Sequence, residues 1–218
     1  MKLTFVILAG ALALVGTAGT AASQPAAPLG SSYIEGVAQS SFGSVTSQSF
    51  GAEGGFLVAP KLVVFGEFGF VRDAAPSEVG VAAQAIAGYL TAVQSASVTY
   101  SVRQPVTFGV AGIKYLIPYD ERIQPYVLGG FGLARYTRDV SFIVGGTDVT
   151  TTLSQYGVTL GSDLAGSTTS PMLSAGGGVA WTVKPPFVVD FQFRYGRIFA
   201  EDTGINLSRA GIGLGIRF

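Results

Sequence analysis

From Tyr33 to the end of the chain, apolar side chains return at every second position in eight separate stretches. The clearest is FVVDFQFRYGRIF (187–199). Phe187, Val189, Phe191, Phe193, Tyr195 and Phe199 share one parity there, broken only by Arg197, while Asp190, Gln192, Arg194 and Gly196 hold the other. LSAGGGVAWTV (173–183) repeats the pattern, with Leu173, Ala175, Val179, Trp181 and Val183 opposite Ser174, Gly176, Gly178, Ala180 and Thr182. The last residues, RAGIGLGIRF, alternate Ile212, Leu214 and Ile216 with glycine. A period of two predicts strands with unlike faces. The segments are 33–43, 49–59, 61–72, 105–117, 123–138, 172–183, 187–199 and 207–218.

Their connections alternate in length. Those at 60, 118–122 and 184–186 are brief and carry proline, which no ladder crosses. Those at 73–104 and 139–171 are long and rich in Ser, Thr, Gly and Ala, with shorter ones at 44–48 and 200–206. In an up-and-down arrangement every tight turn falls at one end and every longer loop at the other. That asymmetry, with strands near ten residues, is the habit of a transmembrane barrel. Within 73–104, Val79, Ala83, Ile86, Leu90 and Val93 recur at helical spacing, which predicts a short helix in the loop. The expected fold is all-β, an eight-stranded antiparallel transmembrane barrel.

Composition sharpens which face is which. Only 12% of residues are charged, 31 are glycine, and mean hydropathy is +0.47. The start, MKLTFVILAGALALVGTAGTAASQP, places Lys2 before an apolar run and then small residues, the layout of a cleaved signal peptide over 1–23. A short Ala/Pro tail (24–30) follows, then the barrel domain (31–218). A soluble lipocalin-like barrel would need a polar outer face, whereas the non-apolar positions here are mostly Gly, Ala and Ser. The apolar face is therefore expected to meet lipid, and the polar or small face to line the lumen. Alternation then places Glu35, Glu53, Glu67, Lys114, Asp190, Arg194 and Arg217 inside as a charge network. Arg194 is the expected hub, because a guanidinium can hold two carboxylates. Strand 123–138 is ambiguous, since Val127, Phe131 and Leu133 share parity with Arg135. Aromatics near strand ends (Tyr33, Phe42, Tyr115, Tyr126, Tyr136, Trp181, Phe199 and Phe218) suggest interfacial belts.

Absences bound the chemistry. Without histidine, a Ser-His or Asp-His catalytic pair cannot be built, and without cysteine there is neither disulfide nor thiolate. Net charge is zero, so there is no basic footprint for nucleic acid. GGFGLAR (129–135) and SAGGGVAW (174–181) lack the full dinucleotide-binding spacing, and GGTD (145–148) and GSDLAGS (161–167) lack calcium-loop spacing. No catalytic residue, cofactor or metal is expected.

IQPYVLGGFGLARY (123–136), with its Pro-Tyr followed by glycines, and the closing GIGLGIRF resemble the small eight-stranded outer-membrane barrels. These are the OmpA/OmpX-type and opacity-like proteins and the wider outer-membrane β-barrel-domain family. The resemblance covers residues 31–218 and implies a bacterial outer membrane and insertion by the barrel-assembly machinery, with Phe218 as its terminal signal. A monomer surrounded by outer-membrane lipid is expected, its loops available to surface partners. A structural or interaction role is expected ahead of a narrow passive channel, because eight strands leave room for little beyond their own side chains.

Overall fold

The computed structural model describes residues 32–161, 164–200 and 204–218. The expected signal peptide (1–23) and tail (24–30) lie outside the described residues. In chain order the elements are β1 (Ser32–Phe42), β2 (Ser47–Ala59), β3 (Leu62–Val71), α1 (Ser77–Gln94), β4 (Val98–Arg103) and β5 (Val106–Leu116). There follow β6 (Ile123–Val144), β7 (Thr147–Asp148), a 3-10 helix (Thr150–Tyr156), β8 (Gly166–Lys184), β9 (Phe187–Ile198) and β10 (Ile205–Arg217).

Eight of these strands form an antiparallel ring, β1-β2-β3-β5-β6-β8-β9-β10, each beside its neighbour in sequence. The ring closes where β1 meets β10, from Tyr33↔Arg217 to Phe42↔Ser208. Reciprocal bonds between Ser32 and Phe218 (3.0 and 2.9 Å) seal the end. No strand of the ring has a free edge, the condition for a sheet to cross hydrocarbon. Outward positions are large and apolar, with Phe68 and Leu214 both 64% exposed. Strand 123–138 resolves the same way: Val127, Phe131 and Leu133 face out, while Tyr126, Leu128 and Ala134 are buried inside. Arg135 does share the outer face, exposed near the outer end of the ring.

Two expectations need correcting. The helix expected within 73–104 is present as α1, but the rest of that segment and 139–171 are more than connecting loops. β6 and β8 run well beyond the ring, and β4 pairs with the β6 extension from Val98↔Val144 to Arg103↔Asp139. On this ribbon sit α1 and the 3-10 helix, sharing a second core of Ala83, Ala87, Leu90, Val140, Phe142, Val149, Leu153 and Leu164. Ala83, Ala87 and Leu90 lie one helical turn apart, so one stripe of α1 is buried. Pro76 precedes the first turn, where a missing N–H costs nothing, and left-handed Ser95 ends the helix. Asp73 anchors the entry, its Oδ1 accepting the backbone N–H of Ala75 and of Gln104, each at 3.0 Å.

The lumen, secondly, is not polar or small throughout. Phe65, Val71, Val106, Phe108, Tyr136, Met172, Ile198, Ile205 and Leu207 pack inside the barrel as an apolar layer. β3 (LVVFGEFGFV) shows why periodicity missed it. Both parities of that strand are apolar, because one meets lipid and the other meets this layer.

Candidate functional site

Two hydrogen-bonded chains of buried side chains cross the lumen. They begin from a repulsive arrangement: Glu35, Glu53 and Glu67 lie directly opposite one another across β1, β2 and β3. Like charges in such register destabilise a sheet unless cations reach them. Glu53 receives two. Lys114 Nζ on β5 donates to its Oε1 at 2.6 Å, and Arg194 NH2 on β9 donates to its Oε2 at 2.6 Å. The Tyr33 hydroxyl also donates to Oε1. Arg194 NH1 donates to the Tyr126 hydroxyl at 3.4 Å, and that hydroxyl donates to Asp190 Oδ2 at 2.7 Å. Lys114 Nζ further lies 4.4 Å from the Tyr33 ring centre and 4.2 Å from that of Tyr126, so two ring faces add cation–π contacts to the ion pair.

The second chain starts at Glu67. Arg209 on β10 grips it with both terminal nitrogens, at 2.6 and 3.4 Å, and lies over Phe108 with Cζ 4.2 Å from the ring centre. Arg209 NH1 also reaches Gln39 Oε1 (3.3 Å), Gln39 donates to Gln192 (3.3 Å), and Gln192 donates to Glu35 (3.2 Å). The hydrogen bonds thus tie β1, β2, β3, β5, β6, β9 and β10 to one another through the interior.

Six of the seven residues expected in the lumen (Glu35, Glu53, Glu67, Lys114, Asp190 and Arg194) are buried there, all at 6% exposure or less. Arg217 is only half-buried, at the tight-turn end, and joins no ion pair among the described residues. The hub is Glu53 rather than Arg194, since Arg194 holds a single carboxylate. Gly211 and Gly215 explain the small face of the last strand. A Cβ on either would strike the β1 backbone, at the carbonyl oxygens of Ala38 and Ile34.

A match to solved structures extends over nearly the whole chain. Neisserial surface protein A aligns at 16% identity over 86% of this chain and 96% of that one, with a TM-score of 0.52. The fold is that of the small outer-membrane β-barrels. The N-terminal barrel domain of Pseudomonas aeruginosa OprF (15% identity, 86% and 96% coverage, TM-score 0.48) and the attachment invasion locus protein Ail of Yersinia pestis (15%, 86% and 96%, 0.45) are also similar. No family model and no curated protein matches the sequence.

Within this outer-membrane-type barrel the aromatics divide. Phe42, Tyr115, Trp181, Phe199 and Phe218 stand exposed on the outside, between 43% and 68%. Tyr126 and Tyr136 are instead buried inside and Tyr33 lines the lumen, so these three are not belt residues. Their strand-end positions concealed an inward parity. Sequence reasoning also passed over Arg209 and Gln39, and it put Gln192 on the polar parity of its strand without counting it in the network. The signal for Arg209 was present, because it shares parity with Gly211, Gly213, Gly215 and Arg217. With Arg209 counted, four acids (Glu35, Glu53, Glu67, Asp190) face four bases (Lys114, Arg194, Arg209, Arg217) among the described residues, a formal balance of charge. Among the described residues no group of three or more Asp or Glu side chains gathers where a metal ion could sit. The calcium-like stretch 161–167 lies partly outside the described residues.

Proposed function

We propose that this chain is an integral protein of a bacterial outer membrane, with both termini and the tight turns in the periplasm. Its barrel anchors a folded cap at the cell surface for contact with other molecules and for envelope integrity. The observation that carries this reading is the cap's own core: Leu90 and Phe142 are fully buried outside the ring, which mere linkers would not require. Burying each such side chain contributes about 1.5–3 kcal/mol, enough to hold a small surface in one shape. A fold shared with a protein named for the neisserial surface agrees with it. Export by a cleaved signal peptide and insertion as a monomer by the barrel-assembly machinery belong to the same proposal, as does the absence of enzymatic activity.

A passive channel for small or hydrophobic solutes is the competing reading. Against it stand the two chains of ion pairs and hydrogen bonds and the apolar layer above them, which cross the interior and leave space only toward its ends. An epitope placed at the exposed turn Gly145–Gly146 should be accessible on intact cells, and the purified barrel should stay silent in planar bilayers. Steady, reproducible conductance would favour the channel. Partition of the mature protein into the aqueous phase would return the soluble lipocalin-like alternative.

A further inference from the structure

Three charged groups of the lumen take no ion pair among the described residues: Glu35, Asp190 and Arg217. All three border one pocket of about 250 Å³ at the tight-turn end of the barrel. Asp190 is 1% exposed, and its Oδ1 is buried without a hydrogen bond. Among the described residues Glu35 accepts a side-chain hydrogen bond from Gln192 alone. Lys114 lies nearby but is committed to Glu53 and to two tyrosine rings. Two carboxylates away from water without a cation of their own are unfavourable, and a further positive charge would relieve them. Arg217 stands at the other end of the pocket. Asp190 is level with Gly213, four residues from Arg217 on the same strand, or about 13 Å at the usual strand rise. Leu57, Val63, Leu116 and Val188 wall the space between.

We infer that this pocket is a binding site for a small ω-amino acid, its ammonium held by Asp190 and Glu35, its methylene chain against the apolar walls and its carboxylate on Arg217. The order of groups, two acids within, an apolar middle and a guanidinium at the mouth, is the complement of such a molecule and of neither half of it. The test uses the full-length chain folded in octyl glucoside, whose uncharged headgroup does not compete. Glycine, 4-aminobutyrate and 6-aminohexanoate are titrated calorimetrically, with butylamine and butyrate as single-charge controls. One of the longer amino acids should bind saturably, and each control should bind at least about tenfold more weakly. Asp190→Asn and Arg217→Gln should each weaken binding by about tenfold or more. Arg217 lies outside the ion pairs, so its variant should fold normally and decides the matter alone if Asp190→Asn does not. The inference is overturned if no amino acid binds, if butylamine or butyrate binds as tightly, or if either folded variant binds like the parent.

Discussion

Arg194 and Arg197 lie three residues apart on β9 and differ in everything that sets the cost of losing them. Arg194 is wholly buried against Glu53, while Arg197 is exposed and donates to Asn206 Oδ1 at 2.8 Å. Removing one member of a buried pair strands the other, so Arg194→Ala should cost about 3–5 kcal/mol, whereas an exposed contact is worth about 1 kcal/mol or less. Urea unfolding in lipid vesicles measures both, and equal losses would refute the inward assignment of β9. By the same logic Glu53→Gln should destabilise more than Glu67→Gln in that assay, because it deprives two cations instead of one. Glycines follow a comparable rule. A Cβ at outward Gly36 meets nothing within 4 Å, while one at Gly211 collides with Ala38 O and Gln39 Cα. Gly36→Ala should leave the unfolding midpoint within error, and Gly211→Ala should lower it clearly, by about 1–3 kcal/mol of overpacking. Parity alone located most of these residues. It did not single out Arg209, which sits near the outer end of its strand, where a long cation usually reaches the interface. Only ring closure brings Glu67 within its grasp.

At the scale of elements, the ring strands were legible because lipid and lumen impose opposite demands on alternate positions. The cap was half legible. Helical spacing marked α1, but nothing local marked β4 (VTYSVR) as the partner of residues 139–144. That pairing spans some forty residues and continues the β5–β6 ladder past Val106↔Tyr136. Leu90→Ala should remove about 2–5 kcal/mol from the cap's core by leaving a cavity. The expected outcome is rapid chymotryptic cleavage within 73–104, with the heat-modifiable gel migration of the barrel unchanged. Loss of both together would mean that cap and ring unfold as one unit.

For the whole molecule, closure is the decisive event, and it joins the two ends of the described chain. Phe218 is 68% exposed, and its backbone bonds Ser32 in the final rung of the ring. If it is read during insertion, deleting it should cut the yield of folded barrel severalfold in cells, while the barrels that do form migrate and unfold normally. Equal yields would reduce Phe218 to one more lipid contact. The sequence by itself determined the eight ring strands, the faces of all of them but 123–138, the end at which tight turns gather, and the helix in the first long loop. Each follows from periodicity or turn chemistry, which act over a few neighbouring residues. Only the tertiary structure decided that Glu53 gathers two cations, that Arg209 reaches Glu67 across the ring, that an apolar layer closes the lumen, and that Glu35, Asp190 and Arg217 share a pocket. Those facts depend on strand stagger and ring closure, which set side chains distant in sequence at one level, and no local pattern encodes that level.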